Sequence, residues 1–267
     1  VKGLHFLKLG GSLITDKATP GTARLDVLSR LAEEIAAARA EAPELRLLLG
    51  HGSGSFGHVA ADKYGTRDGV STPEGWLGFA EVWRQASALN RLVIESLHAA
   101  GLPALSFPAS AGAFSEDGQI KSWDVTPIQA ALDRGLLPVV YGDVAFDSIR
   151  GGTILSTEDL FIYLAPHLEP SRILLAGIEG GVWADYHACT RLVESLTPAN
   201  LAEFAPALAG SIATDVTGGM ETKVRQMLSL VERLPNLEVL IFSGQGDGVV
   251  KKAILGGTPG TRIAAVA

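Results

Sequence analysis

Four segments of this chain combine glycines, hydroxyls and charges in ways that suit phosphate chemistry. The first is Lys8-Leu9-Gly10-Gly11-Ser12, followed by Thr15-Asp16-Lys17. Adjacent glycines let backbone N–H groups approach an anion with no Cβ in the way, and Lys8 and Lys17 would bracket that anion with positive charge. A glycine-rich turn with solvated lysines reads the same. The second segment is His51-Gly52-Ser53-Gly54-Ser55-Phe56-Gly57-His58. The third, Asp215-Val216-Thr217-Gly218-Gly219-Met220, opens a helical pattern that carries Lys223. It suits an anion at the positive end of a helix dipole, or simply an Asp or Thr cap. The fourth joins Gly142-Asp143 to Ser156-Thr157-Glu158-Asp159, where capping by Ser156 or Thr157 is the plainer explanation.

Gly52, Gly54 and Gly57 match G-x-G-x-x-G, the dinucleotide fingerprint. That fold also wants an acidic residue about 20 positions on, at the end of the next strand. The corresponding stretch, 69–76, is polar and carries no strand pattern, so the nicotinamide reading is set aside. No G-x-x-x-x-G-K-[ST] occurs anywhere, which excludes a P-loop. Cys189 is the single cysteine, and His5, His98, His167 and His187 are scattered. Their spacing offers no zinc pattern and no disulfide framework, and a lone cysteine fits a reducing compartment.

The elements that must position these segments alternate. Strand-like runs are Leu4–Leu9, Leu45–Leu49, Ala104–Phe107, Leu136–Tyr141, Ile173–Ala176, Val239–Ser243 and Arg262–Val266. Several are continuously apolar, as parallel strands covered on both faces are. Between them, Leu25–Ala40 places Leu28, Leu31, Ala32, Ile35 and Ala36 on one stripe, and Gly218–Leu234 does so with Met220, Val224, Met227, Leu228 and Val231. This predicts a three-layer αβα sandwich with a central, mainly parallel sheet. Val144–Leu155, broken by Ser148-Ile149-Arg150-Gly151-Gly152, reads as a hairpin projecting from it. All four glycine or hydroxyl segments fall at strand ends, where open α/β sheets put their ligands.

The chain has 267 residues, 47% hydrophobic and 19% charged, with net charge −7. That is enough for one domain with a large core. The acidic balance argues against a nucleic-acid or anionic-membrane partner. No apolar run approaches the roughly 18 residues of a membrane span. The opening residues read as a charged strand rather than a signal peptide, so the expected setting is the cytoplasm. A soft boundary near Glu169-Pro170 divides the expected single domain into lobes of about 1–168 and 169–267 on one continuous sheet.

In this order, Lys-x-Gly-Gly-Ser, the His-Gly-x-Gly-x-Phe-Gly-His loop, Gly-Asp after a strand and Asp-Val-Thr-Gly-Gly-Met-x-x-Lys resemble the amino acid kinase superfamily. Thr15-Asp16-Lys17 and His58 are most similar to its isopentenyl phosphate kinase branch. The resemblance runs from Lys8 to Lys223 and implies the αβα sandwich, with the phosphate acceptor on the first lobe and the nucleotide on the second. It implies transfer of the γ-phosphate of ATP, with Mg²⁺, to isopentenyl phosphate, by a homodimer. Carried over by motif, Lys8, Gly10, Gly11 and Ser12 line the transferred phosphoryl group, and Lys17 stabilises the transition state. Ser53, Gly54 and Gly57 form the acceptor-phosphate loop, closed by the phosphate-binding His58. Thr157 helps the acceptor, while Gly54, Gly219 and Lys223 serve the nucleotide.

The chain departs from that pattern twice. Gly177-Ile178-Glu179-Gly180-Gly181-Val182-Trp183 replaces the usual Thr-Asp-x-Asp-Gly-Val, leaving Glu179 as the candidate nucleotide contact. Ser156-Thr157-Glu158-Asp159 replaces Ser-Gly-Asp-Asp, so either Glu158 or Asp159 orients the lysines. Trp76, Phe79 and Trp83, at i, i+3 and i+7 on one helix, either floor a pocket for the prenyl tail or pack as core. An alkyl phosphate is ionised near neutral pH, so its oxygen attacks without a general base, and Mg²⁺ is held by phosphates and water rather than by protein ligands. A fosfomycin or uridylate kinase of the same fold, and a non-catalytic nucleotide sensor, remain alternatives.

Overall fold

A computed structural model describes residues 3–186, 188–209 and 219–266. The chain begins β1 (Gly3–Leu9), α1 (Gly11–Ile14), α2 (Leu25–Glu41), β2 (Leu45–His51), α3 (Gly54–Tyr64), α4 (Pro73–Ala99) and β3 (Ala104–Ser106). Next come β4 (Phe114–Glu116), β5 (Gln119–Ser122), α5 (Thr126–Asp133), β6 (Leu137–Tyr141), β7 (Asp143–Asp147), β8 (Gly151–Leu155) and α6 (Thr157–Leu168). The last part holds β9 (Arg172–Gly177), β10 (Ser195–Leu196), α7 (Leu201–Ala209), α8 (Gly219–Arg233), β11 (Glu238–Ser243), α9 (Val249–Ile254) and β12 (Thr261–Ile263).

The main sheet has eight strands in the order β10-β12-β11-β9-β1-β2-β6-β3. Its pairs are parallel except β11 with β12. Residues opposite one another in the ladder share a face, which explains the two cores. Phe6, Leu48, Val140 and Leu175 pack with α6 and α8, through Phe161, Leu164, Val224 and Met227. Leu7, Leu49, Val139, Leu174 and Phe242 pack instead against α2 and α4, through Leu28, Leu31, Ile35 and Leu89. Strands buried on both faces need the apolar runs seen in β2 from Leu47 to Leu49, in β6 and in β9 from Ile173 to Ala176.

The hairpin expected over Val144–Leu155 is β7–β8, but it does not extend the main sheet. It joins β4 and β5 in a separate four-stranded sheet, order β5-β4-β7-β8. The main sheet runs through both halves of the chain, as the sequence leads one to expect, and the hairpin belongs to a second sheet. The final strand is also shorter than Arg262–Val266, ending at Ile263. Asp215, Val216, Thr217, Gly218 and His187 lie outside the described residues. No helix among the described residues is long and apolar enough to cross a membrane.

Candidate active site

The carboxyl ends of β1, β2, β6 and β9 lie side by side, and the first two glycine segments leave the sheet there. Gly10 donates its N–H to Ala176 O at 2.8 Å, and Gly52 donates to Leu9 O at 3.1 Å, so the first loop is held between β9 and the second loop. The two loops interlock backbone to backbone. A Cβ at Gly11 would stand 2.4 Å from Gly54 N, and one at Gly54 would stand 2.7 Å from Gly11 O. Contacts below 3.0 Å cannot be made without displacing backbone, so this closeness is available only to glycine. The second segment becomes the first turn of α3 rather than an open loop, with Ser53 at its N-cap. His58 follows Gly54 by four residues, which places it one turn on along the same face, and it is half-buried.

Ser156 starts α6 with a capping box, its side chain and that of Asp159 each satisfying the other's backbone N–H. This puts Thr157 and Glu158 in the first turn, facing the loops. Thr157 Oγ1 donates to His51 O at 2.7 Å, and Gly142 N donates to the same oxygen at 3.1 Å. A Cβ built on Gly142 would stand 3.9 Å from both Ser53 N and Thr157 N. Two amides at helix starts, where no intrahelical acceptor exists, therefore border one small space beside Gly142, together with Leu155 O at 3.6 Å.

Lys8 pairs in register with Gly50 and Leu175, so its side chain leaves the sheet on the α6 face. Its ammonium donates to the Glu158 carboxylate. Burial pushes the Glu158 carboxyl up, but the charges of Lys8 and Lys223 and the Lys8 hydrogen bond outweigh it and hold the group down at about 2. Of the two candidate acids, Glu158 is the one that meets the lysines. Asp159 turns to Ser156, to Arg67 Nη2 at 3.8 Å and to Gln226 Nε2 at 3.3 Å. Lys223 is half-buried one turn into α8, which Gly219 begins with φ of 66°.

Other expected site residues are spread more widely. Ser12 lies in α1, half-buried, and Gly57 packs on Ser53. Lys17 is exposed on the loop joined by the Thr15–Ala23 bridge, and among the described residues no hydrogen bond or ion pair holds its ammonium. Glu179 is exposed just past β9, and its carboxylate accepts from Trp183 Nε1 at 3.3 Å. The aromatic stripe divides. Trp76 packs on Phe79 and on Phe146 of the hairpin, while Phe79 is buried with Val70, Val82 and Val144. Phe79 and Trp83 line a shallow, open hollow of about 400 Å³ together with Pro108, Ala111 and Val144, and Trp76 does not. A larger hollow of about 520 Å³ lies between α3 and α4 and mixes Val59 and Leu77 with Lys63, Glu81 and Gln85.

Two buried groups went unnoticed as individual site residues in the sequence, though both sit where an apolar strand ends. Asp143 has no exposure, and its carboxylate accepts from Ser110 N at 3.1 Å and Val144 N at 2.9 Å. Burial pushes its pKa up to about 6 against those hydrogen bonds. His51, also fully buried, stacks on Tyr141 with ring centroids 5.3 Å apart.

The sequence matches the model of the amino acid kinase family over residues 4–243. The chain belongs to the amino acid kinase family. Within this family it is 33% identical to the isopentenyl phosphate kinase of Methanocaldococcus jannaschii, over 97% of this chain and 98% of that one. It is 35% identical to the isopentenyl phosphate kinase of Methanothermobacter thermautotrophicus, with the same coverage. An X-ray structure of an isopentenyl phosphate kinase superposes with a TM-score of 0.83 at 30% identity, covering 98% of this chain and all of that one.

Proposed function

We propose that this chain transfers the γ-phosphoryl group of ATP to isopentenyl phosphate, giving isopentenyl diphosphate and ADP. One observation carries the reading beyond the similarity to isopentenyl phosphate kinases. The space bordered by the Ser53 and Thr157 amides at Gly142 lies two residues from Val144, which lines the apolar hollow of about 400 Å³. A phosphate head joined to a short hydrocarbon tail fits that adjacency. The larger hollow carries Lys63 and Glu81 on its walls beside Phe56, Val59 and Leu77.

In this reading residues 1–168 hold the acceptor and residues 169–267 the nucleotide. The acceptor phosphate sits on the Ser53, Gly54 and Thr157 amides with His58 as a further donor. An oxygen of that dianion attacks the γ-phosphorus of ATP, the bond to the β-phosphate oxygen breaks, and ADP leaves. No proton must be removed, so His58 binds rather than acting as a base. Lys8, held by Glu158, and Lys17, on its exposed loop, neutralise charge gathering on the γ-phosphoryl oxygens. Gly10, Gly11, Ser12, Gly219, Lys223 and Glu179 serve the nucleotide. Among the described residues no group of three His, Cys, Asp or Glu side chains is placed to hold a metal. Mg²⁺ would enter with ATP, on its phosphates and water, and would supply charge neutralisation there.

A homodimer in the cytoplasm is part of the same proposal. Sedimentation would test the assembly. The function is tested by an acceptor panel with ATP: isopentenyl phosphate, dimethylallyl phosphate, uridine monophosphate and fosfomycin. The first should give the highest kcat/KM. Preference for fosfomycin or the nucleotide would overturn the assignment, and ATP binding without turnover on any acceptor would indicate a sensor.

A further inference from the structure

His51 ends β2 with its side chain wholly inside the protein, and nothing in the phosphoryl transfer described above uses its ring. Buried polar groups are costly unless they are partnered, so the partners show what the ring is for. Nδ1 lies 3.1 Å from Gly52 O. A carbonyl oxygen can only accept, so Nδ1 carries the proton. Burial pushes the imidazole pKa down, against hydrogen bonds to Gly52 and Asn90, and the charge of Lys8 lowers it further. Burial thus favours the neutral ring, in which Nε2 is an acceptor.

Nε2 lies 3.1 Å from Asn90 Oδ1, while Asn90 Nδ2 lies 2.9 Å from Ser106 Oγ. A neutral ring needs the amide turned end for end, an exchange that leaves its shape unchanged. Asn90 then donates to Nε2 and accepts from the Ser106 hydroxyl. The stack on Tyr141, with 8° between ring planes, fixes the remaining rotation. Every degree of freedom of the ring is thus set by α4, β3 and β6.

The consequence falls on the next peptide. In a trans peptide the C=O and N–H point in opposite directions. With the Gly52 carbonyl drawn to the ring, the Ser53 N–H must point away from it. The Ser53 nitrogen is one of the two that border the space at Gly142. We infer that His51 is a positioning residue: its Nδ1–H holds the Gly52–Ser53 peptide so that the Ser53 amide faces the acceptor phosphate. Glycine at position 52 would otherwise let this peptide rotate freely. The inference rests on the acceptor-phosphate reading given above.

Two variants separate positioning from packing. His51→Phe keeps the ring and its stack on Tyr141 but has no donor. His51→Asn loses the ring yet carries an amide nitrogen close to where Nδ1 sits. Steady-state kinetics should show KM for isopentenyl phosphate raised about ten-fold or more in His51→Phe, the loss of roughly one charge-assisted hydrogen bond, with KM for ATP within about two-fold. His51→Asn should recover most of the acceptor KM while melting lower than His51→Phe. Opposite rank orders in stability and acceptor KM support the inference. If acceptor KM follows stability, or if KM for ATP rises equally, His51 only packs. The tautomer is read on the unaltered enzyme by ¹⁵N-detected imidazole NMR, which does not depend on either variant folding. A neutral Nδ1–H ring is expected, and an Nε2–H ring, which has no proton to donate to Gly52 O, overturns the inference. Wild-type inactivity on isopentenyl phosphate would refute the functional reading, whereas an active wild type with unchanged acceptor KM in His51→Phe refutes the role of His51 alone.

Discussion

The ammonium of Lys8 and the carboxylate of Glu158, 150 residues apart in sequence, meet at the junction of β1 and α6. Their side chains are only 12% and 6% exposed. Removing one partner from such a buried pair costs about 3–5 kcal/mol. Glu158→Gln should therefore melt lower and, because both Lys8 and Lys223 lose their shared anion, show kcat reduced on the order of ten- to a hundred-fold. The pH dependence has a definite sign. The folded pKa lies below the ordinary 4.5, at about 2, so the stabilisation is present above 4.5 and lost as pH falls toward 2. Urea unfolding across that window should show a shallower acid loss in Glu158→Gln than in the wild type. Parallel curves would show that the pair contributes nothing.

Asp143 has the opposite sign. Its folded pKa is raised from 3.8 to about 6, so its favourable contribution is present below 3.8 and lost as pH rises through 6. Asp143→Asn cannot ionise. Its stability relative to the wild type should improve between pH 4 and 6, by on the order of 3 kcal/mol at about 1.4 kcal/mol per pKa unit, and then level off. The measurement is chemical denaturation at pH 4.5 and pH 7. A difference independent of pH would contradict the assignment.

Lys17 is exposed, so its truncation should leave the melting temperature unchanged. Lys17→Ala is nevertheless expected to lower kcat on the order of 10²-fold, with a smaller effect on acceptor KM, as loss of transition-state charge stabilisation requires. Unchanged kcat in the folded variant would remove Lys17 from the mechanism.

Phe79 and Trp83 separate core from pocket. Phe79 is 9% exposed and Trp83 47%. Phe79→Ala should cost about 3–5 kcal/mol of stability. Trp83→Ala should cost far less and admit longer prenyl phosphates by opening the hollow of about 400 Å³. Equal melting losses, with no change in chain-length preference for either, would make both residues plain core.

Much of the fold was legible because buried parallel strands such as β2 and β9 carry continuous apolar runs, Leu47–Leu49 and Ile173–Ala176, and the α2 stripe repeats at helical spacing. The second sheet was not. Its strands β4 and β5 have three and four residues, mostly exposed, too short for a periodicity to declare itself. The glycine segments marked the site because close backbone approach requires glycine at Gly11 and Gly54. Which acid meets the lysines was hidden, since Glu158 and Asp159 are adjacent and only the turn of α6 decides between them. The interior roles of His51 and Asp143 depend on Asn90 and Ser110, which no local pattern connects to them.

The central claim is that the space at Gly142 and the neighbouring hollow seat isopentenyl phosphate for attack on ATP. ³¹P NMR of the protein with ATP, Mg²⁺ and isopentenyl phosphate tests this most directly. The account predicts that the acceptor's monophosphate signal is replaced by the paired signals of an alkyl diphosphate, in step with formation of ADP. ADP formation with the monophosphate signal untouched, or no reaction while fosfomycin is consumed, would contradict it.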